Sequence, residues 1–196
     1  SLEEACLHRG MKYRLVGGVR FYQRREVKDL MSYLRLLHNP MDEVSLARVI
    51  GVPPRGIGAK SMQDLVAWAQ RQEIPLFTAM QRIAAAKTNP SLETTDPSPL
   101  SGRAATAVAK FSDMIDGLIK QSETLQVVDL INLALEETGF RQYIQNSDDR
   151  PDERWENILE LRNTAREFNA EDPRDGLASL LERLALVADV DGYEES

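Results

Sequence analysis

Residues 52–61 (VPPRGIGAKS) gather the residue types that handle phosphate: Arg55, Gly56, Gly58, Lys60 and Ser61. A nucleotide-binding P-loop needs Gly, four residues, then Gly-Lys-Ser/Thr, so that backbone amides cradle the phosphates and the lysine reaches them. Gly51 and Gly56 have the first spacing, but Ile57 stands where lysine is required and Ala59 precedes Lys60. Nucleotide hydrolysis is therefore not expected here, and no catalytic residue is assigned. A second use of the same chemistry fits better. A Gly-Ile-Gly hairpin between two short helices lets the backbone approach a ligand and leaves the N–H groups of Gly58, Ala59 and Lys60 unpaired at a helix start. Arg55 and Lys60 would add charge, Ser61 a hydroxyl donor, and Ile57 the apolar peg that holds the hairpin. None of these reads a base, so contact with a duplex backbone would be sequence-independent and salt-sensitive. The expected DNA-binding set is Arg55, Gly56, Ile57, Gly58, Ala59, Lys60 and Ser61. The plainer reading, in which the glycines only make a tight turn between packed helices, stands beside it.

Upstream, residues 13–29 interleave aromatic and basic side chains. Bases could stack on Phe21 or Tyr22 beside phosphate-binding arginines. Equally, Phe21 belongs in a core while Arg24, Glu26 and Lys28 form ion pairs at a helix start. Phe21, Tyr22, Arg24 and Lys28 are thus candidate contacts to DNA or to a neighbouring domain, with both readings open.

The remaining chemistry is sparse. Cys6 cannot form an internal disulfide, and with only His8 and His38 beside it there is no zinc-ligand set, so no metal is expected and the compartment is expected to be reducing, hence cytoplasmic. No run of about 18 apolar residues predicts a membrane span. Residues 1–9 carry two acids rather than a basic, apolar leader. The absence of an initial Met suggests a fragment of a longer polypeptide.

These groups must be positioned by helices. Lys12 to Val16 is short, partly β-branched and followed by Gly17-Gly18, the pattern of a single strand. Val27, Leu30, Met31, Leu34 and Leu37 form a helical stripe that stops before Asn39-Pro40. Residues 45–50 read as a short helix broken by Gly51 and Pro53-Pro54, and a second helix runs from about 59 to 72. Residues 76–86 look helical, and 88–99 have the Pro/Ser/Thr content of an exposed loop. Ala104, Val108, Phe111, Ile115 and Leu118 mark a long amphipathic helix. Residues 127–137 form another, closed by Gly139. Trp155, Ile158, Leu159, Ala165 and Phe168 make a third stripe, and Leu177, Leu180, Leu181, Leu184 and Ala188 a fourth after Pro173. The expected fold class is mainly α: a multi-helix accessory domain with a helix-hairpin-helix-like Gly-Ile-Gly turn and at most one or two short N-terminal strands.

With 196 residues, 42% of them apolar, the chain can bury one good core, or one core plus a small appendage. The net charge of −7 is unevenly spread: residues 1–60 hold eleven Lys/Arg against six acids, a balance of +5, which leaves −12 for the other 136. A polyanion is therefore expected to meet the N-terminal third.

Residues 11–40 (MKYRLVGGVRFYQRREVKDLMSYLRLLHNP) carry the pattern Y-x-x-x-G-G-x-x-F-x-x-R-x-E-[IV]-K-D, followed by Val52-Pro53-Pro54-Arg55-Gly56-Ile57-Gly58. This combination resembles the UvrD/PcrA/Rep group of superfamily 1 DNA helicases. Ser101-Gly102-Arg103-Ala104-Ala105 and residues 154–161 (RWENILEL) extend the resemblance over nearly the whole chain. It implies a motor of two RecA-like domains, each with a helical insertion. Residues 1–38 would lie at the edge of the second RecA-like domain with a hinge helix, and residues 39–196, with the loop 88–99, would form its insertion, the 2B-type subdomain that rotates and touches the duplex ahead of the fork. The family's Gly-Ile-Gly contact falls on Gly56, Ile57 and Gly58.

Walker A, Walker B and the arginine finger have no counterpart in this sequence. The resemblance therefore implies ATP and Mg for the full-length helicase, and no cofactor, hydrolysis or unwinding from these residues alone. The implied function is a duplex-contacting regulatory subdomain of an ATP-dependent 3′–5′ DNA helicase in repair or replication. Its expected partners are the double-stranded DNA backbone, the remaining helicase domains and repair proteins, with no membrane. The alternative is a protein-interaction or autoinhibitory helical module, separable from the first by its lack of salt-sensitive DNA affinity.

Overall fold

The computed structural model describes residues 21–89 and 97–193, with side chains described through residue 187. Helix α1 (Arg25–His38) is the centre of the molecule. Ten of its fourteen residues are buried, among them Val27, Leu30, Leu34 and Leu37 of the predicted stripe. A helix buried that far around its circumference needs neighbours on several sides. Helices α2 (Glu43–Val49), α5 (Gly102–Ser122), α8 (Pro151–Ala165) and α9 (Pro173–Tyr193) supply them. Burial this complete also encloses polar groups. Glu26, Asp29 and Tyr33 stand three and four residues apart, which places them along one side of the helix.

The Asp42 carboxylate starts α2, accepting the Ser45 N–H at 3.0 Å and the Ser45 hydroxyl at 2.6 Å. After a non-helical connection, α3 (Ala59–Arg71) and α4 (Leu76–Thr88) follow, and α4 lies along α5. Helix α6 (Val127–Glu137) ends at Gly139, whose φ of +71° is the left-handed conformation expected of a glycine cap. Helix α8 begins with Pro151 and carries Asp152 and Glu153 in its first turn, where a fixed φ and negative charge suit the helix start. One continuous apolar core runs from Phe21 to Leu184 and includes α1.

The described residues are mainly α and contain no strand, in agreement with the expected class. The predicted strand at 12–16 lies outside the described residues. Two features differ from the sequence expectation. A six-residue helix, α7 (Phe140–Gln145), follows Gly139 and buries Phe140 and Ile144. The third stripe is not one helix, because α8 stops at Ala165 and the chain tightens into a 3₁₀ turn, Arg166–Phe168. That turn brings the Asn169 side-chain oxygen to the Val128 N–H at 3.0 Å, so a distant residue satisfies an amide at the start of α6.

Two helical glycines predict opposite stability changes. A Cβ at Gly176 in α9 would meet the Phe168 carbonyl oxygen at 2.7 Å and Val127 Cγ2 at 3.0 Å, whereas one at Gly117 in α5 meets nothing within 4 Å. Gly176→Ala should destabilise the fold by about 1–3 kcal/mol through overpacking. Gly117→Ala should stabilise it by about 0.5–1 kcal/mol through helix propensity. Thermal melts of both variants test this, and a stable Gly176→Ala protein would contradict the packing of α9 on α6.

Candidate nucleic-acid interface

Residues 50–58 lead from α2 into α3 by way of Gly56, whose φ of +74° is a left-handed conformation that side chains disfavour. The next residue, Ile57, packs against the apolar core and fixes the inner side of the turn. Gly58 is extended and serves as the N-cap of α3 without any side-chain cap. The first amide closed within the helix is Met62 N–H on the Gly58 carbonyl at 3.1 Å. The N–H groups of Ala59, Lys60 and Ser61 therefore have no intrahelical acceptor. Ala59 and Lys60 are exposed and Ser61 is half-buried. The first turn of α3 contains no acid, so the positive end of the helix dipole carries a further positive charge, Lys60.

Arg55 holds this turn to the body. Its Nη1 donates to the carbonyls of Pro53 (2.9 Å), Val49 (3.1 Å) and Ile50 (3.4 Å). Its Nη2 donates to the Tyr33 hydroxyl at 2.7 Å and to the Thr138 carbonyl at 3.0 Å. The guanidinium also lies over the Phe111 ring, 5.1 Å from its centroid. These contacts join α1, the end of α2, α5 and the end of α6, a task suited to a planar fork of donors. Arg55 was expected to offer its charge to phosphate; its terminal donors are instead engaged inside the fold, and it acts on the hairpin by positioning it. The Tyr33 hydroxyl donates in turn to the Val52 carbonyl at 2.5 Å. Burial pushes the Tyr33 phenol up to about 12, with the adjacent Arg55 opposing that shift.

The other polar groups of α1 are also met by partners from elsewhere in the chain. Asp29 accepts from Arg48 Nε at 2.8 Å, and Arg25 stands 3.9 Å away. Burial still raises the Asp29 carboxyl above its ordinary value, although Arg48 pulls it down. Glu26 accepts from Asn157 Nδ2 at 2.7 Å and faces Arg154 Nε at 3.5 Å. Arg24 donates to the Asn157 side-chain oxygen at 2.5 Å and lies 3.9 Å from Glu153. Two sequence blocks 131 positions apart thus meet across the α1–α8 contact.

Of the upstream candidates, Phe21 and Tyr22 are each 6% exposed and meet edge to face at 5.0 Å. Lys28 is half-buried. Arg24 belongs to a cleft with Glu26, Glu153 and Arg154, separate from the 55–61 turn.

Both sides of the Arg55–Tyr33 contact can be tested. Arg55→Ala should lower stability by about 2–3 kcal/mol, because several buried acceptors lose a charged donor. Arg55→Lys should recover little of the loss, since an ammonium cannot reproduce the fork. Urea unfolding distinguishes the two outcomes, and full rescue by lysine would contradict the clamp. For Tyr33, the folded value of about 12 lies above the ordinary 10, so the folded state holds the proton more tightly. Its stabilisation is complete below pH 10 and is lost as pH rises from there through about 12. Phenolate absorbance should show a late component near pH 12 that Tyr33→Phe removes.

Comparison with known proteins matches residues 1–196 to the UvrD-like helicase C-terminal domain. The chain is 32% identical over 195 residues to the ATP-dependent DNA helicase PcrA of Bacillus subtilis (strain 168), covering 99% of this chain and 25% of that protein. It is 37% identical over 211 aligned positions to the ATP-dependent DNA helicase UvrD1 of Mycobacterium bovis, covering all of this chain and 26% of that protein. A PcrA of Staphylococcus epidermidis is 33% identical over 195 residues, with 97% of this chain and 25% of that protein covered. The chain thus spans about a quarter of the length of these relatives. It belongs to the UvrD-like helicase C-terminal domain family.

Proposed function

We propose that this chain is the duplex-contacting regulatory part of an ATP-dependent 3′–5′ DNA helicase acting in repair or replication, and that residues 56–61 touch the sugar–phosphate backbone. Residues 39–196 would be its 2B-type helical insertion, and residues 1–38 the edge of the second RecA-like domain with its hinge helix. Its partners would be duplex DNA, the remaining helicase domains and repair proteins, in the cytoplasm.

One observation carries this reading. The start of α3 presents free amides, no acid and an exposed lysine, all on a turn whose inner side Ile57 and Arg55 fix to the core. A cation at a helix N-terminus costs roughly 0.3–1 kcal/mol in the free protein. Its presence is accounted for by an anion that binds there, and phosphate meets both the amides and the lysine. Neither the amides nor Lys60 distinguishes one base from another, so the contact would position the duplex rather than read it.

ATP and magnesium would belong to the full-length helicase, since the relatives are named ATP-dependent. Residues 51–61 lack the P-loop spacing. No group of three or more His, Cys, Asp or Glu among the described residues could hold a metal ion. Nor is any helix of the described residues long and apolar enough to cross a membrane.

The test uses a change whose effects on folding and on binding have opposite signs. Lys60→Glu should raise the melting temperature slightly by complementing the helix dipole. In a titration of labelled duplex at low salt it should weaken binding by about tenfold, some 1.4 kcal/mol. Mixed-sequence and homopolymeric duplexes should behave alike. Unchanged affinity in Lys60→Glu would remove the hairpin assignment.

A further inference from the structure

Beside the hairpin, Arg55, Lys87, Arg103, Thr106 and Lys110 line an open cleft of about 520 Å³. The cleft lies between the end of α4, the first turns of α5 and the Arg55 side of the turn, and a smaller hollow continues it along α5 past Lys110 to Met114. Its chemistry is one-sided. Every ionisable group among the described residues of its wall is a cation. Helix α4 contains no acid, and the first acid in α5 is Asp113. Arg103, Lys110 and Lys87 are exposed, and none forms an ion pair with a described residue; Lys87 Nζ donates to the Thr106 hydroxyl at 2.9 Å. The cleft around Arg24 shows the contrast: its four arginines face Glu26, Asp149 and Glu153, so its charge is largely neutralised within the fold.

Three cations gathered from two helices, with no ion pair among the described residues, repel one another, and in a chain of net charge −7 such a cluster is not a consequence of composition. We propose that this cleft is a second locus for the phosphodiester backbone, so that the chain holds a duplex at two places, the start of α3 and the Lys87–Arg103–Lys110 cleft. The inference rests on the proposed duplex contact and adds to it a separate set of residues. Arg55 connects the two loci: its terminal donors hold the turn, while its charge forms part of the cleft wall. The open shape suits a backbone passing along α5 rather than an enclosed small molecule. Lysine and arginine side chains on a helical face contact phosphates without reading bases, so this locus would add affinity and salt dependence but no sequence preference.

The test measures how the affinity of the 196-residue chain for a labelled duplex depends on salt. Each cation that neutralises a phosphate contributes about 0.9 to the slope of log K against log salt concentration. Arg103→Gln/Lys110→Gln should make that slope shallower by up to about 1.8, and Lys60→Ala by a further 0.9, the two changes adding. Melting curves of the cleft variant should match the parent, because its substituted side chains are exposed, and Lys60→Ala should melt no lower than the parent, because it removes a cation from a helix start. If the cleft variant loses slope and Lys60→Ala does not, the cleft stands and the hairpin reading falls. If only Lys60→Ala loses slope, the hairpin stands and the inference is overturned; if neither does, both fall. A final arm titrates inorganic tripolyphosphate at matched ionic strength. Equal, weak binding by parent and cleft variant supports a backbone site, whereas binding that only the parent shows would reassign the cleft to a small anion and overturn the proposal.

Discussion

The structure depends on the constraint that a helix buried on most sides must bring partners to its polar groups, although one oxygen, Asp29 Oδ2, is left without a hydrogen bond. Helix α1 carries Glu26, Asp29 and Tyr33 into the interior, and an unpaired polar group there would cost more than a hydrogen bond returns. Each is met by an arginine from a different part of the chain: Arg154 from α8, Arg48 from α2, and Arg55 from the connection before α3. Apolar packing sets the density of the core and opposes sliding or rotation of α1 through shape. The three polar pairs add direction, because each requires a donor and an acceptor in register. They fix which surfaces of the surrounding helices face outward, and so which charges reach solvent.

The charge open to a ligand is what remains after that requirement is met. Arg24, Arg48, Arg55 and Arg154 have partners inside the fold, and Phe21 and Tyr22 are enclosed. Among the described residues Lys60, Lys87, Arg103 and Lys110 take part in no such ion pair, and they lie around the turn and the adjoining cleft.

This is also why the sequence was informative about the fold and less so about the site. The helical stripes of α1, α3, α5, α6 and α9 were legible because burial repeats every three to four residues. Helix α7 was not, since six residues after a glycine cap are too few to establish a period. The end of α8 was missed because Phe168 continues the apolar spacing, while the chain breaks there to deliver Asn169 to Val128. In the turn, the local pattern identified the glycines and Ile57 as an assembly, but a residue type does not reveal where its donors point, and Arg55 looked as available as Lys60. The balance of +5 over residues 1–60 directed attention to the N-terminal third. Arg103, named only within the resemblance, and Lys110 carry no charge signal of their own, because they lie in a segment whose total charge is negative; the usable signal is the acid-free stretch that leads through them.

The Arg55 fork has a mechanical consequence. A pull on residues 56–58 is not borne by two peptide connections alone, because the guanidinium passes part of it to the Thr138 carbonyl and to the Tyr33 hydroxyl. Force applied at the turn would spread into α1 and α6 and be resisted by the whole helical body. The tip is thereby stiffened against swinging independently, and a displacement imposed on it would be transmitted as motion of the helical body.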